Sequence, residues 1–110
     1  MNFIESIKQG IEASNNYDRN MKEIKSIFDA VNKAVFEKTG KENAVLILKD
    51  KFLSSGYFDS IRFGEYAYPV EIRLNGNSYN CHDDVALVNT LHELISSASF
   101  GFYIKRLMES

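Results

Sequence analysis

Cys81, His82, Asp83 and Asp84 stand in a row, and His92 and Glu93 follow within about three helical turns. A thiolate nucleophile needs a base within hydrogen-bond reach. His92 meets that need at Cys81 only if a helix after residue 84 folds back across the strand that carries the thiol. The adjacent His82 does not, because neighbouring side chains on a strand point to opposite faces. A metal ion would draw on His82, Asp83 or Asp84, His92 and Glu93. That set lacks the second imidazole four residues after His92 that would complete a helical pair, since position 96 is serine. A free cysteine on an apolar strand face is ordinarily a small buried hydrophobe. Paired aspartates before an apolar run are ordinarily a helix cap. No glycine-rich phosphate loop, Gly-x-Ser-x-Gly elbow or framed carboxylate pair occurs. The expectation is therefore no catalytic residue, no metal and no cofactor.

The element presenting this cluster is the clearest in the chain. Tyr68 to Leu74 alternates apolar and polar residues, Asn75-Gly76 follows, and Asn77 to Cys81 leads into the aspartates. Asn-Gly suits a two-residue turn because both residues tolerate positive φ. Such a turn sets Leu74 opposite Asn77, Ile72 opposite Tyr79 and Val70 opposite Cys81, leaving Glu71, Arg73, Ser78 and Asn80 on the other face. Pro69 near the strand's start implies an edge position or a strand end. Upstream, Ile61 and Phe63 predict another strand, with Gly64 marking a bulge or a bend.

Helices flank this region. Phe3, Ile4, Ile7 and Ile11 predict a short amphipathic helix over 2–14, ended by Ser14-Asn15-Asn16. Met21, Ile24, Ile27, Phe28, Val31, Val35 and Phe36 predict a second over 18–39, closed by Gly40. A third runs from Asp83 or Asp84 to about Ser97 on Leu87, Val88, Leu91, Leu94 and Ile95. The spacing of Phe100, Tyr103, Ile104, Leu107 and Met108 predicts a fourth. Residues 43–55 fit either a strand at about 44–49 or a helix, and the short β-branched run favours the strand. The expected architecture is a single α+β domain over residues 1–110. In it an antiparallel sheet of three to four strands carries N-terminal and C-terminal helix pairs on one face.

A chain of 110 residues with 45% hydrophobic and 25% charged residues can bury a core without cross-links. No apolar run reaches the ~20 residues of a membrane span, and the first residues lack the basic and apolar regions of a signal peptide. One cysteine agrees with a reducing compartment, so a cytoplasmic location is expected. Plentiful isoleucine, lysine and asparagine point to an AT-rich bacterial or phage genome. Between residues 52 and 104 the fixed cations are Arg62 and Arg73, against Asp59, Glu65, Glu71, Asp83, Asp84 and Glu93. Phosphate repulsion disfavours nucleic acid as a partner of that half.

Aromatic residues crowd the same half. Phe52, Phe58, Phe63 and Tyr79 are expected in the core. Tyr57, Tyr66 and Tyr68, interleaved with Asp59, Glu65 and Glu71, are expected to form an acidic, aromatic binding surface. These six residues suit a basic protein partner. They point to a non-catalytic inhibitor or immunity-type protein that neutralises a nuclease toxin or defence enzyme. Two alternatives stand beside it. One is a small enzyme using Cys81 with His92, or Asp83 and Asp84 with a metal. The other is a homodimer or assembly subunit joined through the hairpin or the 100–108 segment.

Overall fold

The computed structural model describes residues 2–42, 46–49 and 52–109. Its elements, in chain order, are α1 (Phe3–Thr39), β1 (Leu46–Lys49), β2 (Phe52–Ser55), β3 (Ser60–Gly64), β4 (Ala67–Leu74), β5 (Asn77–Cys81), α2 (Asp84–Ile95) and α3 (Ala98–Glu109). The chain is α+β, with a three-stranded antiparallel sheet in the order β3-β4-β5 and a separate two-stranded hairpin, β1-β2.

The hairpin takes the register its turn requires. Asn75 and Gly76 have φ of 53° and 81°, and Leu74, Ile72 and Val70 lie opposite Asn77, Tyr79 and Cys81. Val70, Ile72 and Leu74 are buried with Cys81 on one face, while Arg73, Ser78 and Asn80 are exposed on the other. Against the buried face pack Met21, Ile24 and Phe28 of α1, Leu87, Leu91 and Leu94 of α2, and Phe100 of α3.

Pro69 sits near the start of β4, which is the central strand, so the strand end rather than the edge is realised. It is accommodated there because the β3–β4 register shifts between Phe63 and Gly64, so that Gly64 faces Ala67 and Phe63 faces Val70. The β5 pairing begins only at Val70, and Pro69 therefore has no ladder partner to deprive of an N–H. The bulge needs glycine: a Cβ at Gly64 would lie 2.5 Å from the Tyr68 carbonyl and 2.6 Å from Pro69 Cδ.

The expected N-terminal helix pair is instead one helix of 37 residues. Ser14, Asn15 and Asn16 disfavour helix by only a few tenths of a kcal/mol each, and none is Gly or Pro. Asn16 also accepts a hydrogen bond from Arg19 one turn later. Asn2 caps the start, accepting from the Ile4 and Glu5 amides. Gly40, at φ 71°, closes the end with its amide donating to the Phe36 carbonyl. At about 1.5 Å per residue α1 spans some 55 Å, which accounts for overall dimensions of 62 × 25 × 20 Å. Phe36, expected inside, is exposed, and Asn32 is buried in its stead.

Asp83 caps α2 by accepting from the Ala86 amide at 2.8 Å. Ser97 joins α2 to α3: its hydroxyl donates to the Leu94 carbonyl and accepts from the Phe100 amide. Of the ambiguous stretch 43–55, residues 43–45 and 50–51 lie outside the described residues. Leu46–Lys49 is a strand, paired with β2 rather than with the main sheet.

Alanine at Ile72 or Leu91 is expected to lower the unfolding free energy by about 2–5 kcal/mol, since both sites are closed to solvent and leave cavities. Alanine at the exposed Ile7 should change it by no more than about 0.5 kcal/mol. Urea denaturation monitored by circular dichroism checks this contrast, and equal losses at the three sites would contradict the packing.

Candidate functional site

The six residues read from the sequence as an acidic, aromatic surface divide by environment. Tyr57 is half-buried between the sheet and α3. Its ring meets Phe58 and Phe100 edge-on, at 5.4 and 4.9 Å between centroids, and Tyr103 at 5.0 Å. Its hydroxyl donates to Ser99 Oγ at 3.0 Å. Asp59 is exposed, but its carboxylate accepts from the Asn75 amide at 2.9 Å and its own amide donates to the Arg73 carbonyl. It thereby ties the entry to β3 to the hairpin turn. Glu71 pairs with Arg73 Nε at 3.1 Å on the open face of the sheet. These three side chains make contacts that hold the fold together.

Glu65, Tyr66 and Tyr68 remain beside one another at the tight turn into β4. Glu65 is exposed and Tyr66 is 49% exposed. The Tyr66 carbonyl accepts from Asn20 Nδ2 of α1 at 2.9 Å, which anchors the turn to that helix. Tyr68 reaches the same helix, its hydroxyl donating to Glu23 Oε1 at 2.6 Å. Burial, that hydrogen bond, and the charges of Glu23, Asp84 and Asp83 together push the Tyr68 phenol well above its ordinary range. The phenol thus feels carboxylates from two parts of the chain, Glu23 in α1 and the Asp83–Asp84 start of α2. Only the Glu65–Tyr68 portion is contiguous in sequence. Glu23 lies 45 residues from Tyr68, and its position on α1 carries no signal that would join it to this turn.

The cluster containing Cys81 does not assemble as a nucleophilic site. Cys81 is closed to solvent in the core. Burial pushes its thiol up, and a side-chain hydrogen bond with Thr90 offsets that only in part. His82 is exposed at the end of β5, and Asp83 serves as the α2 cap. His92 opens into a groove between α1 and α2, lined by Ile27, Ala30, Ala34, Val88 and Ile95. Among the described residues no three His, Cys, Asp or Glu side chains gather as a metal site would require. Nor is any described helix long and apolar enough to cross a membrane.

The groove itself has a volume of about 260 Å³. That is below the roughly 300–1,000 Å³ of sites that enclose a small ligand, and His92 alone supplies a polar group to orient one. A larger apolar surface lies at the far end of α1. There Phe3, Ile4, Ile7 and Ile11 are 72%, 66%, 62% and 56% exposed. The sequence reveals this stripe by its spacing. Its exposure becomes visible only once 2–14 is seen to continue α1 away from the core rather than fold back as a separate helix.

Two measurements probe these environments. Because the Tyr68 pKa is raised in the fold, its contribution to stability is complete below the unfolded phenol's pKa of about 10 and is lost as pH rises beyond that. Tyr68→Phe should therefore lose less stability than the parent between about pH 8 and pH 11. Denaturation at both pH values tests this, and parallel losses would contradict the burial of the phenol and its hydrogen bond to Glu23. Cys81 should resist a thiol reagent in the native state and react once the protein is denatured. Rapid native alkylation would place the thiol in contact with solvent. Comparison with family models, with curated proteins and with solved structures gives no match to this chain.

Proposed function

We propose that this chain is a non-catalytic protein-interaction module that captures a basic protein through the acidic face around Tyr66 and Tyr68. The observation that carries this proposal is the hydrogen bond that fixes Tyr68 on Glu23 of α1 beside the exposed Tyr66, at a place where the charges of Asp84 and Asp83 are also felt. Tyrosine gives an interface large contact area at little cost in side-chain entropy. Carboxylates around it raise the encounter rate with a cationic partner and repel acidic competitors. The hydrogen bond from Tyr68 to Glu23 and the anchoring of the Tyr66 carbonyl by Asn20 hold this face in one conformation before binding, which lowers the ordering cost.

The functional class that fits best is a small inhibitor or immunity-type protein acting in the cytoplasm, its target a basic enzyme such as a nuclease toxin or defence enzyme. Blocking a cationic active-site cleft requires complementary charge and shape rather than catalytic groups. Of the six residues named from the sequence, Glu65, Tyr66 and Tyr68 would make the contact. Tyr57, Asp59 and Glu71 are engaged elsewhere, with Ser99, Asn75 and Arg73.

The experiment is affinity capture from a lysate of the source cells at low and moderate salt, comparing the parent with Glu65→Lys/Tyr66→Ala. A basic protein should be retained by the parent, released as salt rises, and lost from the variant, whose melting temperature should stay within a few degrees. Equal retention by both proteins would remove this face from the interaction.

A further inference from the structure

We infer that residues 3–14 of α1 bind the same segment of a second copy of this chain, side by side and antiparallel. Every residue from Asn2 to Asn16 except Ala13 is exposed. On a helix turning 100° per residue, Phe3, Ile4, Ile7 and Ile11 share one arc of about 100°. That arc is rotated by roughly 90° from the face of Met21, Ile24, Phe28 and Val35 that covers the chain's own core. A partner on the arc therefore leaves the packing of α1 on its sheet undisturbed. A helical extension of this length is marginal in water, and here Gly10, Ser14, Asn15 and Asn16 weaken it further. Packing its apolar arc supplies the missing stabilisation.

Charge selects the occupant and the direction. Lys8 and Glu12 lie one turn apart on the same edge of the arc. An antiparallel two-fold that sets Ile7 against Ile11 of the second copy brings each Lys8 beside the other copy's Glu12, twice over. The same register sets Phe3 and Ile4 against the small Ser14 of the second copy, which leaves room for the larger side chains. A parallel pair would instead place Lys8 opposite Phe3 and Gly10, with no opposite charge to meet. The existing Lys8–Glu5 ion pair, at 4.0 Å and with both side chains more than 60% exposed, is too weak to compete.

The available area sets the strength. Four side chains more than half exposed offer roughly 400 Å² of apolar surface per copy. The pair thus buries about 800 Å², short of the 1,200–2,000 Å² of stable complexes. The dimer is accordingly weak and concentration-dependent. It draws on residues remote from the acidic face and stands independently of the function proposed above.

Sedimentation equilibrium from about 1 μM to 1 mM, a range that brackets the affinity of so small an interface, should show the mass rising towards twice that of one chain. Ile7→Lys/Ile11→Lys should remain monomeric throughout with an unchanged melting temperature, since neither side chain contacts the core. Lys8→Glu alone and Glu12→Lys alone should each dimerise at least several-fold more weakly than the parent. An equimolar mixture of these two should recover association as a mixed dimer, because each then meets opposite charge across the seam. A parent that stays monomeric throughout, a dimer that survives the double lysine substitution, or a mixture no tighter than its components would each overturn the inference. The second outcome would move the contact to another face, such as the α1–α2 groove.

Discussion

Asn75 and Gly76 hold positive φ angles, and because a two-residue turn of that geometry admits one pairing of its flanking strands, the turn decides which residues of β4 and β5 share a face. A slip by one residue would send Val70, Ile72, Leu74 and Cys81 to solvent and draw Glu71, Arg73, Ser78 and Asn80 inward. The helices have one apolar surface to cover: α1 and α2 contact its strands, and α3 packs on those two helices to close the same core. Asp59 reinforces the same constraint from β3, accepting the Asn75 amide and pairing its own amide with Arg73. The register thus also ties in the third strand.

The hairpin was legible in the sequence because its information is local: alternation, turn chemistry and a cap lie within some fifteen residues. The cap on α2 and the bulge at Gly64 were legible for the same reason. Continuity of α1 was not. Serine and asparagine are weak helix formers and serve equally well as ends, and which role they take depends on the helix on either side of them. Here well-patterned segments on both sides share one axis, and the small penalties at 14–16 are carried through. Of the two placements that Pro69 implied, an edge or a strand end, the strand end is the one realised, and in a central strand. A proline excludes a central ladder position only where its N–H would be needed, and a bulge a few residues away on the partner strand removes that need.

The candidate site was half legible. Tyrosines and carboxylates alternate visibly from Tyr57 to Glu71, but composition cannot distinguish a side chain that is offered to a partner from one already engaged. Tyr57 is claimed by Phe58, Phe100 and Tyr103, and Glu71 by Arg73. Conversely, Glu23, Asp83 and Asp84 read as a solvated helix face and a cap, and their common neighbour, Tyr68, emerges only from the packing of α1 and α2 on the sheet. Cys81 was read by its register alone, since a residue opposite Val70 on the apolar face is buried whatever its reactivity elsewhere.

The two proposed surfaces would rely on different physics, and that difference would let one chain use both. The proposed face around Tyr66 would act through charge, and so chiefly through encounter rate, and would weaken with salt. The arc on α1 acts through apolar area, which salt does not screen. They also lie apart: α1 spends its C-terminal two-thirds on the core and carries the arc on the free remainder, so a second copy held there approaches from beyond the acidic turn rather than across it. A weak dimer built that way would present two acidic faces to a target, and even modest self-association would lengthen residence on a partner with two cationic sites. Projection of the helix is what permits this. Had Ser14-Asn15-Asn16 broken α1 and let 2–14 fold back, the isoleucines would have been spent on the chain's own core and only the charged face would remain.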